Sequence, residues 1–222
     1  MAFGSVRRMG RRLLSRRRPE VQYLILVRVG IPWITEKMRD LANTFSLPPT
    51  DRRIPHITLF GPFTLAEPGT PQDILDCIER ATEKITAGDY SLGMLLELRG
   101  RKGQAIVCTV RFSEALGKAY QELSTCLFSR AGSCTWLDRQ PERRVVHITL
   151  AFNLPAPLAG EVKEYLWRSG CPTGGGTAEE THSPGKEEHR LAGIAVLRNG
   201  MLWKEYDLAH RSWRERKELF PI

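Results

Sequence analysis

His56-Ile57-Thr58-Leu59 recurs further along the chain as His147-Ile148-Thr149-Leu150, and the fold and the chemistry both follow from reading this repeated tetrapeptide. Each copy is rich in β-branched residues and alternates polar with apolar, the pattern of a strand. Alternate side chains of a strand share a face, so His56 and Thr58 stand together about 7 Å apart while Ile57 and Leu59 point into the core. The second copy repeats this arrangement. Packed about a pseudo-twofold axis, the two copies bring two imidazoles and two hydroxyls to one cleft.

The surroundings of the two copies match. Residues 21–29 read as a strand, and Ile34, Met38, Leu41, Ala42 and Phe45 mark a helix with Thr35 as its cap, stopped by Pro48 and Pro49. The first motif strand follows at 56–60, then an amphipathic helix at 73–86 and a strand at 90–98. The order begins again with a strand at 105–112, a helix at 114–129, the second motif strand at 145–153, a helix at 158–168 and a strand at 191–197. Residues 201–208 complete a hairpin through Asn199-Gly200, and 211–219 read as a terminal helix. A β-α-β-α-β order therefore occurs twice, which gives an α+β class with a duplicated, bilobal architecture and two antiparallel sheets facing a central cleft.

Two histidines and two threonines in one cleft suit a phosphodiester. In-line displacement needs a base behind the attacking oxygen and an acid beside the leaving oxygen, on opposite sides of phosphorus. Imidazoles with an ordinary pKa near ~6.5 divide those roles at neutral pH. Threonine hydroxyls donate to the non-bridging oxygens, where charge develops. This scheme calls for no metal and no cofactor.

The paired tetrapeptides in a duplicated frame resemble the 2H phosphoesterase superfamily. Pro55 before the first copy and Gly61-Pro62-Phe63 after it resemble the branch named for the 2′-5′ RNA ligases. The resemblance runs from about Val21 to Leu208. It implies hydrolysis of 2′,3′-cyclic phosphate ends on RNA or nucleotides, with reversible 2′-5′ ligation in some relatives. It also implies His56 as proton donor to the leaving oxygen, His147 as the base that activates water, and Thr58 and Thr149 as phosphate-binding groups. Other readings stay open: a different cyclic or 2′-5′-linked nucleotide as substrate, or a non-catalytic RNA-binding protein.

Phe60 shares parity with His56 and Thr58, which places it at the cleft edge, where a ring stacks on a base or packs into the core. Its counterpart is Ala151. Arg52-Arg53 and Arg143-Arg144 precede the two motifs and face either a phosphate backbone or solvent. Gly100-Arg101-Lys102-Gly103 has the form of a backbone-clamping G-x-x-G, but the strands on both sides make it a hairpin turn. Gly185-Lys186 lacks the spacing of a nucleotide-binding P-loop.

The 222 residues carry a formal charge of +8, yet seven arginines and no acid lie in residues 1–18, leaving 26 basic against 25 acidic residues elsewhere. The basicity belongs to a tail, expected to be disordered over 1–20. It reads as a transit peptide, a nucleic-acid arm or sequence upstream of the true start. Residues 21–222 form a single domain, with lobes at about 21–99 and 104–210. A Gly-rich stretch at 169–188 containing His182 is expected to be a mobile surface loop. Five cysteines without C-x-x-C spacing read as reduced thiols in a cytoplasmic protein. No apolar run approaches the ~18 residues of a spanning helix, which argues against a membrane protein. A monomer whose partner is an RNA or nucleotide with a 2′,3′-cyclic phosphate is the resulting expectation.

Overall fold

The computed structural model describes residues 20–47, 54–85, 88–100, 102–171 and 188–215. The basic tail, Arg52, Arg53 and the stretch with His182 and Gly185-Lys186 lie outside the described residues. The first half of the chain runs β1 (Tyr23–Arg28), α1 (Pro32–Thr44), β2 (His56–Leu65), α2 (Pro71–Thr82) and β3 (Gly88–Gly100). The second runs β4 (Gly103–Phe112), α3 (Glu114–Arg130), the short β5 (Ala131–Ser133), β6 (His147–Leu154), α4 (Ala156–Arg168), the short β7 (Glu188–Leu191) and β8 (Gly193–Arg198). Strands β9 (Met201–Asp207) and β10 (Ser212–Glu215) close the described chain. Helix α1 begins earlier than Thr35 because Pro32 occupies its first position, where the ring presets φ and no amide is missed.

The α+β class and the duplication are present. All strand pairs are antiparallel, in the order β10-β9-β8-β1-β2-β6-β4-β3-β7, with β5 on the side of β2. The two sheets expected on either side of the cleft meet edge to edge at β2 and β6 and so form one path. Each half gives its last strand to the other lobe: β3 pairs with β4, and β8 pairs with β1. Pairing thus crosses the boundary that chain order suggests between residues 99 and 104. The cause is the tight turn at Gly100–Gly103, which makes β3 and β4 hairpin neighbours. A Cβ at Gly103, whose φ is +141°, would lie 2.8 Å from the Leu154 carbonyl oxygen, so only glycine fits there.

Apolar residues of the four helices among the described residues join Ile57, Ile148, Cys108 and Val110 in one core. Leu26, Val107 and Ala195 are also buried but lie outside that cluster. The register places Leu26 beside Thr58 and Val107 beside Thr149, on the face that carries the motifs.

Two expectations are corrected. Residues 212–215 are strand β10, not the start of a helix. The Asp207 carboxylate accepts the N–H groups of Ala209 and His210, both at 2.9 Å. That turn reverses the chain and sets Trp213 opposite Tyr206, with ring centroids 5.0 Å apart. The cysteines are not all reduced: Cys77 on α2 and Cys126 on α3 form a disulfide, with Cα atoms 5.7 Å apart. Helix packing brings together two cysteines separated by 49 residues, which no local spacing rule detects. Cys108, Cys134 and Cys171 remain free thiols.

Candidate active site

Strand β2 meets β6 where Ile57 lies opposite Ile148. In an antiparallel pair that register sets His56 across from Thr149 and Thr58 across from His147, with all four side chains on the face away from the two isoleucines. Ile57 and Ile148 are fully buried, while the four polar residues are half-buried. The structure therefore brings together the four residues singled out by the repeated tetrapeptide.

Both imidazoles are held in the same way. His56 Nδ1 lies 3.0 Å from the Ile54 carbonyl oxygen and His147 Nδ1 lies 2.7 Å from that of Val145. A carbonyl only accepts, so each Nδ1 donates and the proton is fixed there. Each neutral ring then keeps Nε2 free to take or, once protonated, to give a proton. Among the described residues, neither the Thr58 nor the Thr149 hydroxyl is hydrogen-bonded to another protein group. Both are available to an anionic ligand.

The two histidines differ in their flanks. Across β1, His56 faces Arg28, whose guanidinium pairs with Glu205 on β9, the Nε-to-Oε1 contact being 3.2 Å. A Cβ at Gly193, on the intervening β8, would lie 3.2 Å from Glu205 Oε1, so the glycine leaves room for that pair. Across β4, His147 faces Thr109, which donates its hydroxyl to the Met94 carbonyl at 3.2 Å. Burial pushes His147 below the ordinary imidazole range, partly offset by the Val145 hydrogen bond, and the Arg144 and His56 charges lower it further. Burial and the neighbouring charges thus favour the neutral form of the His147 ring.

Phe60 is not at the cleft edge. It is fully buried, with its ring edge-on to Phe63 at 5.1 Å between centroids. The register explains the discrepancy: Leu26 faces Thr58, but the next β1 residue inward, Ile25, faces Phe60. Leu59 is thus the extra residue of a β-bulge, which reverses parity and turns Phe60 onto the core side. In β6 the same slip occurs, with Val107 facing Thr149 and Ile106 facing Ala151. The bulge is part of the duplication.

Arg144 turns inward, away from bulk solvent. Its side chain is buried against Asp138, with Nη1 at 2.6 Å from Oδ1. Arg143 is exposed. The sequence reading misses Asp138, although Thr135-x-x-Asp138 has the form of a capping box. Arg28 and Glu205 carry no sequence signal, because only strand pairing places Arg28 beside His56 and Glu205 against Arg28. Among the described residues no three His, Cys, Asp or Glu side chains cluster so as to hold a metal ion. An open groove lined by Tyr23, Thr64, Leu65, Gly132 and Ser133 contains none of the four motif side chains.

Solved structures of Usb1 from Kluyveromyces marxianus resemble the chain. The one with uridine monophosphate overlays with a TM-score of 0.42 at 10% identity, and another with a TM-score of 0.43 at 11%. Each covers 82% of this chain and 96% of Usb1. Among curated protein sequences nothing matches. Residues 32–179, which include both tetrapeptides, match the 2'-5' RNA ligase superfamily, and with the paired His-x-Thr strands in place the chain belongs to that superfamily.

Proposed function

We propose that the protein is a metal-independent phosphodiesterase that opens 2′,3′-cyclic phosphate ends of RNA or nucleotides by two-histidine acid–base catalysis. The observation that supports this most strongly is the matched pair of imidazoles. Each is tied through Nδ1 to the carbonyl two residues upstream, and each keeps Nε2 on the face where a free threonine hydroxyl stands across the strand pair.

In this reading the phosphate lies between the two strands, with its non-bridging oxygens on the Thr58 and Thr149 hydroxyls. His147, neutral because burial disfavours its cation, accepts a proton from water through Nε2. The new oxygen attacks phosphorus in line with one ribose oxygen. The bond from phosphorus to that oxygen breaks, and the oxygen takes a proton from Nε2 of protonated His56. The phosphomonoester remains on the other ribose oxygen. Proton transfer from His147 back to His56 through solvent restores the starting state. Replacing water by a ribose 5′-hydroxyl, with the 3′-oxygen as the leaving group, gives 2′-5′ ligation. A panel of cyclic mononucleotides and end-labelled RNAs, incubated without metal and analysed for phosphate position, tests the reading. Hydrolysis of the cyclic ends supports it, and an inert panel overturns it.

A further inference from the structure

The segment between β5 and β6 carries a buried ion pair that the acid–base scheme leaves unused. The Asp138 side chain is fully buried and that of Arg144 is 9% exposed. Arg144 Nη1 donates both to Asp138 Oδ1 at 2.6 Å and to the Leu59 carbonyl at 2.9 Å. Asp138 Oδ1 also accepts the Gly61 N–H at 3.1 Å, and Oδ2 accepts the Thr135 N–H at 3.1 Å and hydroxyl at 2.6 Å. The pair therefore takes one carbonyl and one amide of β2, on either side of Phe60, where the bulge disrupts the ladder and buried backbone groups need partners. A Cβ at Gly61, whose φ is +105°, would lie 2.9 Å from the Tyr23 carbonyl oxygen. The backbone at this point is thus closely confined.

The attachment crosses between lobes. Strand β2 carries His56, and the segment with Asp138 and Arg144 runs into His147 three residues later. Beyond it, β2 and β6 share the register pair Ile57–Ile148, a short ladder with which to fix the separation of two catalytic groups. Burying a salt bridge costs desolvation that apolar residues of similar volume would avoid, so this pair is a costly way merely to fill space.

We propose that Arg144, held by Asp138, is the positioning residue of the site: it fastens the His56 strand at Leu59 and Gly61 to the segment carrying His147, and so sets the two imidazoles at the separation in-line transfer requires. This rests on the phosphodiesterase reading above. Displacement of a catalytic group by about 1 Å costs on the order of 10² in rate. The Arg144 charge also faces His147, together with His56 from β2, and Thr109 faces it from β4.

Three full-length variants test the proposal: Arg144→Lys, Arg144→Met, and the pair Asp138→Asn with Arg144→Met, which leaves no buried charge unmatched. Turnover of a 2′,3′-cyclic mononucleotide and NMR titration of the imidazole protons are the readouts. In Arg144→Met and in the double variant, kcat is expected to fall on the order of 10²-fold with KM little changed. The His147 titration should move up, and the His56 resonance should shift. Arg144→Lys should recover most of the kcat and the low His147 titration. Wild-type kcat with unmoved His56 and His147 signals in a folded Met variant would overturn the proposal. A wild-type protein inert toward every cyclic nucleotide would overturn the phosphodiesterase reading instead, and the NMR arm would still decide whether Arg144 couples the two histidines.

Discussion

Replacing Phe60 separates its two possible roles, because the structure and simple strand parity place the ring on opposite faces of β2. The ring is fully buried and lies edge-on to Phe63, so Phe60→Ala removes a complete aromatic side chain from the core. Such truncations cost about 3–5 kcal/mol, which includes the cavity left behind. The edge-on partner contributes about 0.5–1.5 kcal/mol of aromatic pairing, which argues for the upper half of that range. A domain of this length loses roughly 2–4 °C of Tm per kcal/mol. Phe60→Ala is therefore expected to melt roughly 8–20 °C below the wild type, and Phe60→Leu, which keeps most of the volume, to melt between them. Below the melting range, kcat/KM on a cyclic mononucleotide should be unchanged in both. Scanning calorimetry with initial-rate kinetics checks this. A variant of wild-type Tm whose KM rises severalfold would refute the bulge argument and return Phe60 to the cleft as a base-stacking residue.

His56→Ala and His147→Ala should each lower turnover of a cyclic mononucleotide by about 10²–10⁴-fold while the fold survives, as read by circular dichroism. Thr58→Ala and Thr149→Ala should cost less, since one hydroxyl supplies only part of the charge stabilisation. The pH profile of kcat/KM should be a bell whose acid limb reports the base. Because His147 is lowered, it stays neutral below the ordinary imidazole range, so the acid limb should lie to the acid side of ~6.5 and move up in Arg144→Met. Deleting residues 1–18 should leave mononucleotide turnover intact and weaken binding to long RNA. It should also flatten the salt dependence of that binding by about 0.7 for each phosphate the tail neutralises. Equal salt slopes for the two proteins would make the tail a bystander.

The repeated tetrapeptide made the centre of the molecule legible, because strand parity over three residues suffices to put His56 with Thr58 and His147 with Thr149. It failed two residues further on. A bulge at Leu59 and its counterpart at Leu150 changes which face the chain presents, and a bulge has no composition of its own in either Thr-Leu-Phe or Thr-Leu-Ala. Strand exchange between lobes was hidden for a related reason: chain order shows which elements exist, while pairing is decided by turns such as Gly100–Gly103 and by edges that only the assembled sheet provides. Arg28, Glu205, Asp138 and the Cys77–Cys126 bridge belong to the same class. Each depends on partners far along the chain, 177 residues away for Arg28 and Glu205, 49 for the cysteines and, beyond the local Thr135 and Arg144, 77 for Asp138 and Gly61. The helices were legible from their apolar spacing. Residues 212–215 were not, because the stretch reads as helical whereas the Asp207 turn returns it to the sheet.

Action of two imidazoles on one phosphodiester is tested most directly by turnover of a 2′,3′-cyclic mononucleotide in excess chelator by the wild type and by the two folded single-histidine variants. Two-histidine catalysis predicts full turnover by the wild type, with loss of at least about 10²-fold in each variant. Turnover that survives removal of either histidine, or that vanishes on chelation and returns with a divalent ion, would contradict it.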